Sequence, residues 1–271
     1  MSMVTRHGKV SRARLAKLLR ETAGTVSVSQ AAESLAVSPT EAAKTLARWA
    51  RQGWFSRVRR GLYVPVPLES STGDVALEDP WLVAVRLFAP CYIGGWSAAE
   101  HWNLTEQIFR SVLVCTAAKP HDRKPEIKGT SFVLRTVARE AIFGTKPVWR
   151  GRAKVDVSDP SRTVLDLLDD PALAGGLRHG VDVFRNYLES EWKDLRLLMG
   201  YADRLGNGAV FKRLGFVLER VAPAEKETID ACRGRLTKGN AKLDPSLPAK
   251  RLVTAWRLWV PENWTVEEKH D

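Results

Sequence analysis

The chain has 271 residues and a formal net charge of +11, with 42 Lys and Arg against 31 Asp and Glu. Its 44% hydrophobic content allows a sizeable core, and its length favours two domains. The first residues contain no signal-peptide-like apolar run, and the most apolar stretch, residues 81–89, is short and interrupted by Arg86, so no membrane partner is expected. Three widely spaced cysteines exclude a disulfide framework and a CxxC zinc site, and a cytoplasmic location is expected.

Two helices are predicted at the start of the chain. Apolar residues recur at helical spacing in residues 12–22, and residues 29–36 form a second, shorter helical stretch. The leucines expected on the inner side of the first helix are Leu15, Leu18 and Leu19.

A third helix is predicted to begin at Pro39. Ser38 can accept a hydrogen bond from the backbone N–H of Glu41 while the Glu41 side chain reaches back, and Pro39 suits the first helical position. One face of this helix is apolar and carries Ala42, Ala43, Leu46, Trp49 and Ala50. The opposite face carries Thr40, Glu41, Lys44, Arg48 and Arg51. We expect the apolar face to pack and the polar face to be free to enter a groove.

A hairpin is predicted directly after the third helix. Residues 54–58 and 62–64 have strand character, and Arg60-Gly61 lies between them as a turn. Three helices, with a tight turn before the third, followed by such a hairpin predict a winged helix-turn-helix.

Positive charge is concentrated in this first part of the chain. Through Pro65 there are twelve Lys and Arg residues and only three acids, a net charge of +9, so the remaining two thirds carries only +2. This distribution favours binding to a nucleic acid. The alternatives are a solvated helical face beside a basic tail, or a winged helix that holds another protein.

The DNA-binding residues are expected on the third helix and the wing. Base contacts are predicted for Thr40, Lys44, Thr45 and Arg48. Phosphate contacts are predicted for Arg51, Arg57, Arg59 and Arg60. Neutralisation of about five phosphates predicts a slope of about −4 to −5 for log affinity against log salt. Farther along the chain, Arg150, Arg152 and Lys154 either extend this basic surface or form a solvated loop.

The predicted fold class is α+β. The winged helix-turn-helix domain is assigned to residues 1–66, a linker to residues 67–79, and a larger mixed α+β domain to residues 80–271. In that domain the patterns predict helices at 80–88, 177–190, 192–205 and 210–218, a helix opened by a Ser97/Glu100 capping box, and a helix capped by Asp159. Strands are predicted at 92–93, 111–116, 132–137, 154–157 and 254–260, with a polar loop at 120–128.

The sequence contains no convincing catalytic or cofactor motif. Gly94-Gly95 precedes a helix but has neither the Lys-Ser/Thr of a P-loop nor a third glycine, and Ser97 with His101 has no orienting acid at a suitable spacing. The five histidines are dispersed. No catalytic, cofactor-binding or metal-binding residue is therefore predicted, and the protein is not expected to be an enzyme.

Two sets of residues nevertheless leave other functions open, namely a nuclease site and a base-stacking surface. Asp156, Asp159 and Lys154 could serve a magnesium-dependent nuclease, although Asp159 is better explained as a helix cap. The tryptophans of the second domain could stack on bases, but their aliphatic surroundings favour packing. They are Trp81, Trp96, Trp102, Trp149, Trp192, Trp256, Trp259 and Trp264.

The second domain also carries longer motifs that resemble a known family. Residues 92–107 read YIGGWSAAEHWNLTEQ, and residues 155–166 and 213–219 read VDVSDPSRTVLD and RLGFVLE. These segments, with Arg60-Gly61 at the wing, resemble AbiEi-type antitoxins of type IV toxin-antitoxin systems, which act in abortive infection, a phage defence. Asn103 stands where that family usually has glycine, and Ala99 where it usually has leucine.

The resemblance implies a cytoplasmic DNA-binding antitoxin that represses its own operon through the winged helix. Its second domain would counteract a cognate nucleotidyltransferase toxin without forming a stable complex. Double-stranded DNA of its own promoter is the expected partner, no cofactor is implied, and self-association on DNA is left open. The alternatives are a metal-dependent nuclease that uses the winged helix to deliver substrate and a transcriptional regulator that responds to a small molecule.

Overall fold

The computed structural model describes residues 3–22, 24–66, 77, 79–262 and 264, with side chains from Arg12 onward. Helices account for 47% and strands for 20% of the structure. A helical and stranded N-terminal region is followed by a larger mixed region, which confirms the predicted α+β class. The predicted linker, residues 67–79, lies outside the described residues except for Leu77 and Asp79.

The N-terminal region is a winged helix. It consists of α1 (Met3–Glu21), β1 (Val26–Ser27), α2 (Val28–Leu35), α3 (Pro39–Arg51), β2 (Phe55–Arg59) and β3 (Leu62–Pro65). The three strands form a sheet in the order β1-β3-β2, antiparallel throughout. The predicted turn at Arg60-Gly61 is confirmed, and Gly61 has a φ of 80°, a left-handed conformation that favours glycine.

Three features of this region differ from what the sequence predicts. The first helix begins at Met3 rather than at residue 12. Leu15 and Leu18 are buried as expected, but Leu19 is 40% exposed. Strand β1 was not predicted, because two residues are too few to show a periodic pattern; Val26 pairs with Tyr63 across the ladder.

The chain divides into two compact units, each of which is built from three separate segments of the sequence. Unit 1 contains residues 1–91, 110–136 and 147–156, and unit 2 contains residues 92–109, 137–146 and 157–271. Strands β4 (Cys91–Ile93), β8 (Thr145–Arg150) and β9 (Ala153–Ser158) contribute residues to both units.

Beyond the winged helix, unit 1 contains α4 (Pro80–Leu87), β5 (Ser111–Thr116), β6 (Glu126–Ile127) and β7 (Thr130–Thr136). Strands β5 and β7 are parallel over six residue pairs, and β6 pairs antiparallel with β7. The predicted loop at residues 120–128 therefore contains a short strand. Its hairpin turn is Lys128-Gly129, and both residues have positive φ, 51° and 71°.

Unit 2 is mainly helical. Its helices are α5 (Gly95–His101), α6 (Pro160–Asp169), α7 (Leu177–Glu189), α8 (Leu195–Leu205), α9 (Gly208–Val221) and α10 (Lys226–Gly234). A small sheet follows in the order β10-β12-β11, from β10 (Ala241–Lys242), β11 (Arg251–Val253) and β12 (Leu258–Val260). Residues 254–256, predicted as part of one late strand, form a 3-10 turn before β12.

Helix α6 lies at the centre of unit 2 and is buried on every side from Pro160 to Leu168. Its polar residues are internally paired: Arg162 Nε donates to Asp166 Oδ1 at 3.0 Å, and Tyr92 Oη donates to Asp166 Oδ2 at 2.9 Å. Burial lowers the pKa of the Arg162 guanidinium, but Asp166 and Tyr92 outweigh burial, so the pKa is raised above its ordinary value. The 155–166 motif thus contributes a buried ion pair and hydrogen bonds to the core of unit 2.

The other two motif segments also serve packing. A Cβ on Gly215 of α9 would lie 2.1 Å from the ring of Trp256, so only glycine permits this approach. Asn103 follows Trp102, the C-cap of α5, and has a φ of 55°, a left-handed conformation that asparagine tolerates better than most residues.

Candidate nucleic-acid interface

Helix α3 is held at its start by the predicted capping box. The backbone N–H of Glu41 donates to Ser38 Oγ at 3.2 Å, and the backbone N–H of Ser38 donates to Glu41 Oε2 at 3.2 Å. A second box holds the start of α2, where the backbone N–H of Gln30 donates to Ser27 Oγ at 3.2 Å. The Ser-x-x-Gln spacing of Ser27 and Gln30 is present in the sequence and is the signal that could have predicted this box. Both helices of the helix-turn-helix therefore have defined starting residues.

The apolar face of α3 fixes the orientation of its polar face. Leu46 and Trp49 are buried, and the Trp49 ring stacks on Phe55 of β2 at a centroid distance of 6.0 Å. These residues belong to one cluster with Leu18 of α1 and Val26 of β1. This cluster packs α3 against α1 and against β1 and β2, the two edge strands of the sheet. Core packing therefore determines which face of α3 is exposed.

The predicted base-reading residues lie on this exposed face. Thr40, Lys44 and Arg48 are exposed, and Thr45 is half-buried. The side chains of Lys44 and Arg48 make no hydrogen bond or ion pair with any residue that the structure describes. Long cationic side chains without an internal partner can extend into a groove without first breaking an internal contact.

Of the predicted phosphate contacts, Arg51 is exposed in the last turn of α3 and the other three lie on the wing. Arg57, Arg59 and Arg60 are exposed at the tip of the β2-β3 hairpin. Arg57 Nε donates to the Arg59 carbonyl at 3.4 Å, and Arg59 Nη2 donates to the Arg86 carbonyl of α4 at 3.3 Å. The Arg59 contact, which joins the wing to the last turn of α4, could not be predicted because the two residues are far apart in sequence.

Comparison with known proteins assigns this N-terminal region. Residues 13–66 match the AbiEi antitoxin family of transcriptional regulators. The match spans the last part of α1, the helix-turn-helix and the whole wing, and it confirms the resemblance for this AbiEi-type region.

The remaining comparisons concern the whole chain. It is similar in structure to the RV2827C protein from Mycobacterium tuberculosis, with a TM-score of 0.63 and 14% sequence identity over 93% of this chain and 91% of that chain. At this identity the similarity shows the fold alone. No curated protein matches the sequence. Among the described residues, no helix is both long and apolar enough to cross a membrane.

The residues that the sequence offers for enzymatic chemistry make structural contacts within the protein. Helix α5 begins at Gly95 with Gly94 as its N-cap, so Ser97 lies inside the first turn and the predicted Ser97 capping box is wrong. Asp159 caps α6, as predicted, by accepting from the Arg162 backbone N–H at 2.8 Å, and it also accepts from Tyr201 Oη at 2.7 Å. Within the described ranges, no group of three or more His, Cys, Asp or Glu residues could hold a metal ion.

The later basic residues lie on the hairpin of β8 and β9. Lys154 Nζ lies 4.8 Å from the centroid of the Trp149 ring, and Arg150 stacks on Trp81 at 4.1 Å. Trp96, Trp256 and Trp264 are buried as expected for packing residues. Trp149 and Trp259, however, are 63% and 37% exposed, so the packing prediction is wrong at these two positions.

Proposed function

We propose that this protein is a DNA-binding antitoxin that represses its own toxin-antitoxin operon and counteracts a nucleotidyltransferase toxin of type IV behaviour. The observation that supports repression most directly is the exposed face of α3. Its Lys44 and Arg48 have no partner among the residues that the structure describes, and the neighbouring wing adds three arginines. The AbiEi match over residues 13–66 supports the same role.

In this proposal α3 lies in the major groove and the wing lies against the backbone or the minor groove. Thr40, Lys44, Thr45 and Arg48 read bases, because Lys and Arg can engage guanine and Thr can contact a thymine methyl group. Phosphates are contacted by Arg51, Arg57, Arg59 and Arg60. Thr45 is half-buried, so it would contact only a base edge close to the helix axis.

A binding titration with the full chain tests the repressor half of the proposal. The duplex is the DNA immediately upstream of the gene, and a scrambled duplex of the same length measures non-specific binding. We expect saturable retardation of the upstream fragment at low salt and a weaker complex with the scrambled one. Equal affinity for the two duplexes, or no retardation, would contradict the proposal.

Two substitutions distinguish base reading from phosphate contact. Arg48→Ala should relax sequence preference at one base pair by about 1 to 3 kcal/mol, whereas Arg60→Ala should weaken all duplexes to a similar extent. Arg139→Ala removes the same charge from an exposed residue of unit 2 that belongs to neither α3 nor the wing, and it should leave affinity unchanged. If Arg60→Ala changes the preferred sequence and Arg48→Ala does not, the two roles are reversed.

The antitoxin half is tested by co-expression with the adjacent gene. We expect growth to be rescued by the wild-type chain and also by Arg48→Ala, because rescue is assigned to the second domain and not to the DNA-binding face. A reporter fused to the operon promoter should lose repression with Arg48→Ala in the same cells. Absence of rescue by the wild type would remove the antitoxin function and leave a transcriptional regulator.

A further inference from the structure

A cleft in unit 1 is formed by three separate segments of the chain. The end of α1 contributes Leu19 and Arg20, the start of α4 contributes Asp79 and Leu82, and the turn between β8 and β9 contributes residues 150–152. Its volume is about 410 Å³. Ligand pockets commonly have volumes of about 300 to 1,000 Å³, so the cleft is large enough for a small molecule.

The charge of this cleft is predominantly positive. Arg20, Arg150 and Arg152 line it, and Asp79 is its only lining carboxylate among the described residues. Arg152 donates through Nη1 to the Arg20 carbonyl, which holds the β8-β9 turn against the end of α1. Three guanidinium groups around one carboxylate leave an excess of cationic hydrogen-bond donors.

Arg150 provides a second, independent indication of a ligand. Its guanidinium is oriented by stacking on the Trp81 ring at 4.1 Å, and its Nε lies 3.9 Å from Asp79 Oδ2, too far for a hydrogen bond. The Nε atom is nevertheless buried and has no hydrogen-bond partner in the part of the chain that the structure describes. The Arg150 side chain is 36% exposed and forms an ion pair with Asp79, but neither solvent nor that carboxylate supplies Nε with an acceptor; an oxygen from a bound anion would do so.

Helix α4 connects this cleft to the wing. Asp79 caps the start of α4 by accepting from the Trp81 backbone N–H at 3.0 Å, and the carbonyl of Arg86 in its last turn accepts the hydrogen bond from Arg59. The helix has eight residues and is therefore about 12 Å long. A ligand that draws Arg150 away from Asp79 would act on one end of a short rigid helix whose other end supports the wing.

We propose that this cleft binds a small phosphorylated anion and that its occupancy changes the affinity of the winged helix for DNA. Phosphate suits the site because guanidinium groups bind its oxygens in bidentate fashion. The anion could be inorganic or part of a nucleotide, since both present the same oxygens. The effect on DNA rests on the proposed function, whereas the binding site itself does not.

Isothermal titration of the full chain with pyrophosphate and with ATP, at physiological salt and without metal, tests the site. We expect one molecule to bind per chain, and binding to weaken by about tenfold or more in the Arg20→Ala/Arg152→Ala double variant. Arg123→Ala is the matched control, because Arg123 is exposed in the same unit and does not line the cleft. Tighter binding of ATP than of pyrophosphate would identify a nucleotide, and equal binding would identify the phosphate groups as the part recognised.

Titrating the upstream duplex with and without saturating pyrophosphate tests the coupling. We expect a change in DNA affinity of about fivefold or more, and DNA should change pyrophosphate affinity by the same factor. The double variant should lose this change while retaining DNA binding.

Each contrary result has a defined meaning. No binding of either probe, or equal weakening by Arg123→Ala, would overturn the site and leave the proposed function intact. Binding with unchanged DNA affinity would overturn the connection through α4. Failure of the wild-type chain to bind DNA at any probe concentration would instead overturn the proposed function, because the titration of the site does not depend on DNA.

Discussion

The salt dependence of DNA binding follows from the number of cations on the exposed face of the winged helix. Six cations lie there, namely Lys44, Arg48, Arg51, Arg57, Arg59 and Arg60. We expect this set of side chains to neutralise about five phosphates. Each phosphate contact contributes about −0.9 to the slope of log affinity against log salt, which gives a slope of about −4.5. Affinity for the upstream duplex should then fall by about 500-fold between 50 and 200 mM salt.

Removal of one cation should change this slope by a defined amount. Arg60→Ala should bring the slope to about −3.6, whereas Arg139→Ala should leave it at about −4.5. Fluorescence anisotropy of a labelled duplex at four salt concentrations measures both slopes. A wild-type slope shallower than about −2, or equal slopes for Arg60→Ala and the wild type, would show that these side chains do not lie against phosphates.

Three further predictions concern stability and are measured by urea unfolding of the full chain. Ser38→Ala removes the cap of α3 and should cost about 1 kcal/mol, while Ser38→Asp, which can still cap, should cost little; equal losses would argue against the capping box. Asp166→Asn leaves Arg162 buried without its counter-charge and should cost about 3 to 5 kcal/mol, whereas Asp230→Asn, in an exposed pair, should cost less than about 1 kcal/mol. Burial and the hydrogen bond to Asp159 raise the pKa of Tyr201 to about 12. The contribution of the neutral Tyr201 side chain to the free energy of unfolding is therefore complete below pH 10 and is lost as the pH rises towards 12. Tyr201→Phe should lose less stability than the wild type over that range, and parallel pH profiles would contradict this cause.

Most of the winged helix was predictable because its signals are local. Ser38, Pro39 and Glu41 mark the start of α3 within four residues, and Arg60-Gly61 marks the wing turn between two short apolar runs. The charge of the region needs only counting. Where the local signal was ambiguous the prediction failed: Leu19 has the helical spacing of an inner residue, yet the packing of α1 leaves it 40% exposed.

The second half of the chain was predicted less well because its contacts join distant residues. Strand β6 has only two residues and is recognisable as a strand only by its pairing with β7. Trp149 is apolar in sequence, yet it is 63% exposed on a hairpin that was not predicted. Tyr92, Arg162 and Asp166 could be named as parts of motifs, but their mutual hydrogen bonds span up to 74 residues. Periodicity over a short window carries no information on such pairs.

The sequence by itself determined the α+β class, the winged helix, the polarity of its third helix and the concentration of positive charge there, since capping, helical period and net charge depend on neighbouring residues. Only the tertiary structure decided that Arg59 is held by the end of α4 and that Arg20, Arg150 and Arg152 line one cleft. The physical reason is that chain segments 27 residues apart, as for Arg59 and Arg86, or 132 residues apart, as for Arg20 and Arg152, meet only when a common core brings them together. The free energy of that core is a property of the whole chain.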